Sequence, residues 1–354
     1  MAEIPSLEEL LTIAKEHNAS DVHITVGVPP KMRVNGQLIT MDYARLLPAD
    51  TKAYLSQIMD ERQLSKFEET GEYDMSFSIS NLGRYRVNAF LQRGSVAIAL
   101  RLVGTEVPNP ISLGVPPSVV DLYTRKRGLI LVTGPTGSGK STTLAAIIDK
   151  INNNREAHII TLEDPIEYLH QHKQSIVNQR EIGLDSHSYA NALRAALRED
   201  PDVILVGEMR DFETISVAIT AAETGHLVLS TLHTIGAAST VDRVIDVFPP
   251  HQQQQIRVQF ANVLEAVISQ QLVPTADGKG RVAAFEVLHS NHAVRNLIRE
   301  GKSHQLMSVM QTNRKMGMMP MDEALQQLYL TGKISREMAI QFAVDPDAME
   351  GKLF

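Results

Sequence analysis

The chain has 354 residues, of which 43% are hydrophobic and 21% charged, a balance typical of a folded globular protein. Its formal net charge of -7 provides no overall positive field to attract a phosphate backbone, which disfavours a general nucleic-acid binder. The lack of cysteine excludes disulfides, thiolate zinc sites and a cysteine nucleophile, and fits a reducing, cytosolic setting.

This length exceeds what one hydrophobic core usually organises, so we expect two domains. Near the N-terminus, Ser6 followed by Glu9 is a capping-box pattern that predicts a helix through about Lys15. The segment lacks the apolar core of a signal peptide, and no run approaches the roughly 20 apolar residues of a membrane span. We therefore expect no transmembrane segment, and membrane contact only through a partner.

Short strands and helical spacing alternate through the rest of the first hundred residues. An Asn35-Gly36 turn between two alternating runs predicts a hairpin. The other predicted elements are strands at 21–26, 73–79, 84–91 and 96–102 and a helix from about Pro48 to Phe67. Together they predict a small α+β domain over residues 1–103.

A proline-rich stretch, residues 104–118, resists both helix and central strand and is interpreted as an interdomain linker. Apolar strand-like runs then alternate with helical stretches, at 129–133, 158–162, 203–206 and 227–230. Such runs predict an α/β core domain over residues 119–290, with a sheet covered on both faces. Residues 291–354 are almost wholly helical in pattern.

A glycine-rich segment between an apolar strand and a helix carries the strongest functional signal. It fits the Gly-x-x-x-x-Gly-Lys-Ser/Thr pattern of a phosphate-binding loop. Its residues are Gly134, Pro135, Thr136, Gly137, Ser138, Gly139, Lys140 and Ser141. Backbone N–H groups and the helix N-terminus would face the phosphates, while Lys140 would reach the β- and γ-phosphates and Ser141 would supply an oxygen to Mg²⁺.

Another apolar strand, residues 203–206, ends at Gly207 and Glu208 and resembles a Walker B element placed beside the phosphate-binding loop. Most such elements carry aspartate where this chain has Gly207, so direct metal coordination from this strand is not expected. Glu208 is predicted to orient or polarise the attacking water. An exposed glutamate at a strand end is the alternative interpretation.

A second carboxylate, Glu163, follows the strand at 158–162, where loops line the ligand crevice of an open α/β sheet. We expect Glu163 to lie nearest the metal ion and the water, with a water molecule as a possible bridge. Which of Glu163 and Glu208 is the base stays open.

Two histidines, His226 and His233, flank the strand at 227–232. Metal binding by them is disfavoured, because no cysteine and no close histidine pair accompanies them. We expect His233 to act in catalysis and His226 to contact the nucleotide, against the alternative that both only make structural hydrogen bonds.

These elements together resemble the secretion and type IV pilus ATPase superfamily over nearly the whole chain. The four matching segments are GPTGSGKSTT for the Walker A motif, ITLEDPIE for the aspartate box, LREDPDVILVGEMRD for the Gly-Glu Walker B motif and TGHLVLSTLHT for the histidine box. The early segment 19–23 is similar to the signature that opens the family's PAS-like N-terminal domain. The segment 293–302 resembles the C-terminal AIRNLIRE motif of the pilus retraction branch, with Val294 in place of isoleucine.

The resemblance implies a RecA-like P-loop ATPase core, a PAS-like N-terminal domain and a helical C-terminal region. It also implies a homohexamer that uses ATP and Mg²⁺ for pilus retraction, acting on pilin through an inner-membrane platform protein. Thr142 joins the nucleotide-binding residues, and Arg86 and Arg101 match family arginines that complete the ATP site. An accessory or assembly ATPase of the same superfamily, or an ATP-dependent switch, are the alternatives.

Overall fold

The structure is a computed structural model that describes residues 4–34, 36–79, 82–103 and 106–353. The predicted turn residue Asn35 and the predicted boundaries at residues 1, 104 and 354 lie outside these ranges. The chain forms two compact units, one comprising Met1–Thr105 with Glu167–Leu169 and the other Glu106–Ile166 with His170–Phe354.

The first unit is an α+β fold, as its sequence pattern predicts. Its elements are α1 (Leu7–Glu16), β1 (Asp21–Ile24), β2 (Lys31–Val34), β3 (Gln37–Thr40), α2 (Pro48–Ile58), α3 (Glu61–Thr70), β4 (Glu72–Ile79), β5 (Gly83–Gln92) and β6 (Ser95–Leu102). The strands pair antiparallel in the order β3-β2-β1-β6-β5-β4. The predicted hairpin is confirmed by the pairing of β2 with β3.

Local sequence explains the helix boundaries in this unit. The Ser6 hydroxyl accepts a hydrogen bond from the amide of Glu9 at 3.2 Å, which begins α1 at the predicted place. The single helix expected from Pro48 to Phe67 is instead two helices. The first ends at Ile58, and Asp60 caps the second, because its carboxylate accepts from the Gln63 amide at 2.8 Å.

The second unit is an α/β fold built on seven strands. They are β7 (Gly128–Thr133), β8 (His158–Glu163), β9 (Ile176–Glu181), β10 (Val203–Val206), β11 (Leu227–Leu232), β12 (Leu264–Pro274) and β13 (Arg281–His289). The sheet order is β13-β12-β7-β11-β10-β8-β9, and every neighbouring pair is parallel except β12 with β13.

Helices cover both faces of this sheet, as the apolar strands predict. They are α4 (Pro117–Val120), α5 (Lys140–Asn154), α6 (Tyr189–Ala196), α7 (Phe212–Glu223), α8 (Ala237–Asp246), α9 (Pro250–Val263), α10 (His292–Arg299), α11 (Leu306–Thr312), α12 (Met321–Leu330), α13 (Arg336–Gln341) and α14 (Pro346–Lys352). Helix α5 packs on one face, and α6 to α9 pack on the other. Because β7 to β12 pair in parallel, their carboxyl ends lie along one common edge of the sheet.

Three strands of this sheet, β9, β12 and β13, were not predicted. Strand β9 lies at the sheet edge and is largely polar, with only Val177 and Glu181 buried. Residue 115, inside the predicted linker, is buried in the core with Val119. The C-terminal region is helical as expected, except that Met319 forms a β-bridge with Val287. Within the described ranges, no helix is both long enough and apolar enough to cross a bilayer.

Candidate nucleotide-binding site

The phosphate-binding loop connects the carboxyl end of β7 to the first residue of α5, which is Lys140. Its three glycines, Gly134, Gly137 and Gly139, have φ angles of 139°, 78° and 90°, where side chains are strained. This backbone leaves the amide groups and the positive end of α5 available to an anion. The local geometry therefore supports the role predicted for the loop.

Strand β12 explains why two of these glycines admit no side chain. A Cβ at Gly134 would lie 2.2 Å from the Gln270 carbonyl oxygen, and a Cβ at Gly139 would lie 2.9 Å from Gln270 Nε2. The Gln270 side chain is buried, and its Oε1 accepts a hydrogen bond from the Thr143 hydroxyl at 2.7 Å. Gln270 thus fixes the loop from a distant part of the sequence.

The loop carries polar groups whose positions suit a phosphate. Lys140 is buried, and its Nζ donates to the carbonyl oxygens of Gly134 and Pro135 at 2.9 and 3.0 Å. The buried hydroxyls of Ser138 and Thr133 have no hydrogen-bond partner among the described residues. Because an unpaired buried hydroxyl costs free energy, these groups fit a bound nucleotide phosphate that would satisfy them.

A cavity of about 290 Å³ adjoins the loop within the second unit. Its wall includes Gly139 and Thr142 from the loop and helix, Ile111 and Gly114 from the proline-rich stretch, and Leu272 from β12. Apolar walls beside a phosphate-binding loop suit a nucleoside, whose base is flat and largely apolar. Thr142 therefore lines a cavity whose apolar walls suit a nucleoside.

Glu208 lies two residues beyond β10 and is only 15% exposed. Its carboxylate accepts from Arg210 Nη2 at 2.7 Å and lies 2.9 Å from His233 Nε2. Burial raises the pKa of Glu208, but the Arg210 hydrogen bond and the charges of His233 and Arg210 outweigh burial and lower it. The carboxylate is therefore ionised and can accept a proton or a hydrogen bond from water.

Gly207 departs from the usual aspartate for a steric reason. A Cβ at this position would lie 2.8 Å from the Tyr189 hydroxyl and 3.1 Å from the Leu162 carbonyl oxygen. The Gly207 amide itself donates to that carbonyl at 2.7 Å. Any side chain at residue 207 would therefore displace Tyr189 or part the β8 and β10 strand ends.

Glu163 is the last residue of β8 and lies at the same edge of the sheet as Gly207. Its Oε1 accepts hydrogen bonds from the Thr161 hydroxyl at 2.6 Å and from Gln179 Nε2 at 3.1 Å. Two donors on one oxygen fix the direction of the carboxylate, which is what a group in a metal's water shell requires.

The strand order changes one expectation about this edge. Walker B strand β10 is not adjacent to β7, because β11 lies between them. The residue after β11 is His233, and this insertion is what brings it to Glu208. The two predicted catalytic residues thus meet through strand order.

His226 is not at this edge, contrary to the prediction that it contacts the nucleotide. It precedes β11, and its carbonyl accepts from the Gly128 amide at the start of β7, opposite the end that carries the loop. Six strand residues span roughly 20 Å. Its Nδ1 lies 2.9 Å from the Ala221 carbonyl oxygen, so the ring binds to the end of α7 and cannot reach a nucleotide on this chain's own loop.

The predicted arginines belong to the first unit, where Arg86 on β5 pairs in register with Arg101 on β6. Arg86 Nη2 lies 2.6 Å from Asp74, and Arg101 Nε lies 2.8 Å from Asp21. Both side chains are on the face of the sheet away from that unit's core, which is formed by the alternate residues. The register therefore brings the two arginines together and leaves them exposed.

Sequence reasoning missed Gln270, Gln179 and Tyr189. A glutamine just beyond the apolar run 266–268 was a usable signal for the first, because a polar group inside a buried strand needs a partner. No pattern could have indicated Gln179 or Tyr189, since each acts on a strand end remote in sequence.

The glycine loop before α5, the carboxylates at the neighbouring strand ends and the strand order define a P-loop ATPase with an α/β core, which confirms the predicted fold class. The sequence profile of the Type II/IV secretion system protein family matches residues 4–341, and the chain belongs to this family.

Relatives match along nearly the whole chain. The type IV pilus retractation ATPase PilT of Pseudomonas aeruginosa is 46% identical over 341 residues, which cover 96% of this chain and 99% of that protein. A twitching motility protein of Neisseria gonorrhoeae is 48% identical over 320 residues, covering 90% of this chain and 86% of that protein. A crystal structure of the pilus retraction motor PilT with bound ADP superposes with a TM-score of 0.91 at 50% identity, covering 98% of this chain and 99% of that one.

Proposed function

We propose that this chain is an ATP-driven motor for type IV pilus retraction that works as a homohexamer. The observation that carries the proposal is the similarity to a retraction ATPase over 96% of the chain. It includes the helix of the AIRNLIRE-like motif, α10, in which Val294 and Ile298 are buried against the ATPase core.

We assign the phosphate loop and Glu208 the central roles in hydrolysis. Loop amides and Lys140 hold the β- and γ-phosphates of ATP, and Glu208 binds the attacking water through its ionised carboxylate. The water oxygen bonds to the γ-phosphorus as the bond to the bridging oxygen of ADP breaks, and Glu208 takes the water proton. His233 orients Glu208 through their 2.9 Å contact.

Ser141 and Glu163 are the residues we assign to Mg²⁺, with Glu163 acting through water. The metal would supply charge neutralisation across the β- and γ-phosphate oxygens. The donors from Thr161 and Gln179 fix one oxygen of the Glu163 carboxylate and so help to orient the group.

Arg86 and Arg101 are the groups we propose to neutralise charge on the transferred phosphoryl group. Both are exposed and adjacent in register, and a guanidinium suits a phosphate because it offers paired donors. To do so, each would exchange its carboxylate partner for phosphate.

The motor would act at the cytoplasmic face of the inner membrane, on a platform protein of the pilus machine and through it on pilin. This assignment follows from the pilus role of the relatives. The ring would convert the nucleotide-driven movement of its subunits into displacement of that partner.

The deciding experiment compares surface pili and twitching in a strain without this gene, complemented with wild type, Glu208→Gln or Glu350→Gln. Glu350 is an exposed surface carboxylate and serves as the matched control. Excess pili rescued by wild type and Glu350→Gln, but not by Glu208→Gln, supports a retraction motor. A strain without pili would mean an assembly ATPase, and an unchanged strain an accessory one. Native mass spectrometry of the purified protein tests the hexamer.

A further inference from the structure

The Tyr189 hydroxyl fills the space that an aspartate side chain would need after β10. Its oxygen is 2.8 Å from the Cβ position of Gly207, where most Walker B elements have their carboxylate. Tyr189 is the first residue of α6, and the Ser188 hydroxyl caps that helix by accepting from the Asn191 amide at 3.2 Å. The cap therefore fixes where the helix begins and, with it, the position of Tyr189.

The surroundings of the hydroxyl are acidic. Tyr189 lines a cavity of about 310 Å³ together with Asp164, Glu208 and Arg210. Its ring packs against the apolar core that also contains Val206 and Leu162. Burial, followed by the negative charges of Asp164, Glu208 and Glu163, raises the pKa of Tyr189, so the hydroxyl keeps its proton at neutral pH.

A protonated phenol can do part of what an aspartate does. It can accept a hydrogen bond from water through its oxygen and donate a hydrogen bond from its O–H group to a carboxylate. The phenol adds no negative charge beside a γ-phosphate. An aspartate at residue 207, next to Glu163 and Glu208, would add a charge that repels the phosphate.

We propose that Tyr189 is a positioning residue whose hydroxyl replaces the missing Walker B aspartate. Its oxygen accepts a hydrogen bond from a water of the nucleotide-bound metal ion, and its O–H group donates a hydrogen bond to Asp164. This inference rests on the ATP site proposed above, and it adds a residue that no motif of the family resemblance contains.

The first test is metal binding by Tyr189→Phe, which keeps the ring and removes only the oxygen. Mn²⁺ affinity is measured by electron paramagnetic resonance, with a non-hydrolysable ATP analogue at saturation. We expect Mn²⁺ to bind about three- to tenfold more weakly, the effect of one lost hydrogen bond. Binding of the analogue without metal should not change.

Tyr123→Phe is the matched control, because Tyr123 is a half-buried tyrosine of the same unit that packs in the core on the other face of the sheet. Wild-type Mn²⁺ affinity in Tyr189→Phe would overturn the proposal. An equal loss in Tyr123→Phe would assign the effect to packing and would overturn it as well. If wild type bound the analogue but did not hydrolyse ATP, the proposed function would fail while this readout still decided the role of Tyr189.

A second test addresses the contact itself through thermal unfolding without nucleotide. Gly207→Ala should lower Tm in the wild-type background and lower it less in the Tyr189→Phe background, where the 2.8 Å contact is gone. Equal losses in both backgrounds would show that the hydroxyl does not occupy the space at residue 207.

Discussion

His233 Nε2 lies 2.9 Å from Glu208 Oε1, which joins the residues that follow two neighbouring parallel strands. The Thr231 hydroxyl donates to the Gly207 carbonyl at 2.6 Å and the Met209 amide donates to the Thr231 carbonyl at 3.1 Å, so the two strand ends are bound together on either side of this pair. A shift of the histidine loop would therefore be transmitted directly to the carboxylate.

Glu208→Gln should reduce kcat for ATP hydrolysis about 100-fold or more, because the amide cannot take the water proton. Nucleotide affinity should stay within about twofold, since Glu208 holds no phosphate in this assignment. Steady-state phosphate release and a nucleotide titration measure the two quantities, with Glu350→Gln as control. Substantial turnover in Glu208→Gln would shift the base to Glu163.

Arg210→Ala should move the acid limb of the pH profile to higher pH. Burial raises the pKa of Glu208, and the Arg210 hydrogen bond and charge help to lower it below its ordinary value. Without Arg210, Glu208 takes up its proton at a higher pH and loses its role as base there. The measurement is kcat against pH for both proteins, and superimposable acid limbs would contradict the assignment.

Gly134→Ala should destabilise the chain more than Gly137→Ala. Alanine at Gly134 would meet the Gln270 carbonyl at 2.2 Å, whereas alanine at Gly137 meets no atom within 4 Å and only suffers its positive φ. We expect losses of about 2 kcal/mol or more for the first and about 1 kcal/mol for the second. Denaturant unfolding without nucleotide measures both, and equal losses would mean that β12 does not restrict the loop.

His233→Gln and His226→Gln should differ sharply in turnover. The first loses the hydrogen bond that orients Glu208 and should lower kcat about tenfold or more, the value of a bond to a charged group. The second lies at the opposite end of β11 and should leave kcat and nucleotide affinity unchanged. A large effect at His226 would require that it act on a nucleotide bound by another subunit.

Glu286→Gln should change how stability depends on pH. The buried Glu286 carboxylate accepts from the Ala237 and Met321 amides at 2.7 and 3.2 Å, at the start of α8 and α12. Burial raises its pKa above the unfolded value, although both backbone hydrogen bonds oppose this. The folded chain then binds the proton more tightly, so this group costs stability as pH rises from its unfolded pKa through its folded pKa.

Replacing Glu286 with neutral glutamine removes that cost but leaves one helix amide without its acceptor, at about 1–3 kcal/mol. We therefore expect the free energy of unfolding of the variant, relative to wild type, to improve as pH rises through this window. Unfolding at several pH values tests it, and a difference independent of pH would be the contrary result.

Much of the ATPase site could be predicted because its chemistry is local in sequence. The glycine loop fixes its own backbone, and an apolar strand ending in Glu163 or Glu208 indicates a carboxylate at a sheet edge. Pattern alone predicted both histidines to act at the nucleotide site, His233 in catalysis and His226 in nucleotide contact, because each flanks the same strand.

The direction of β11 places the two histidines at opposite ends of the sheet, and the pairing of β11 with β7 shows that direction. Strand β11 runs parallel to β7, so its carboxyl end and not its amino end lies with the phosphate loop. His233 therefore lies at the end of the sheet that carries the phosphate loop, and His226 lies at the opposite end.

The sequence by itself determined the class of protein, the phosphate loop and the position of the candidate carboxylates at strand ends, since contiguous residues encode those features. Only the tertiary structure decided that β11 lies between β7 and β10, and that the Gln270 carbonyl leaves no room for a side chain at Gly134. It also decided that the Tyr189 hydroxyl occupies the space beside Gly207. The physical reason is that these contacts join residues far apart in the chain, and their geometry depends on how strands pair and helices pack, which no local pattern records.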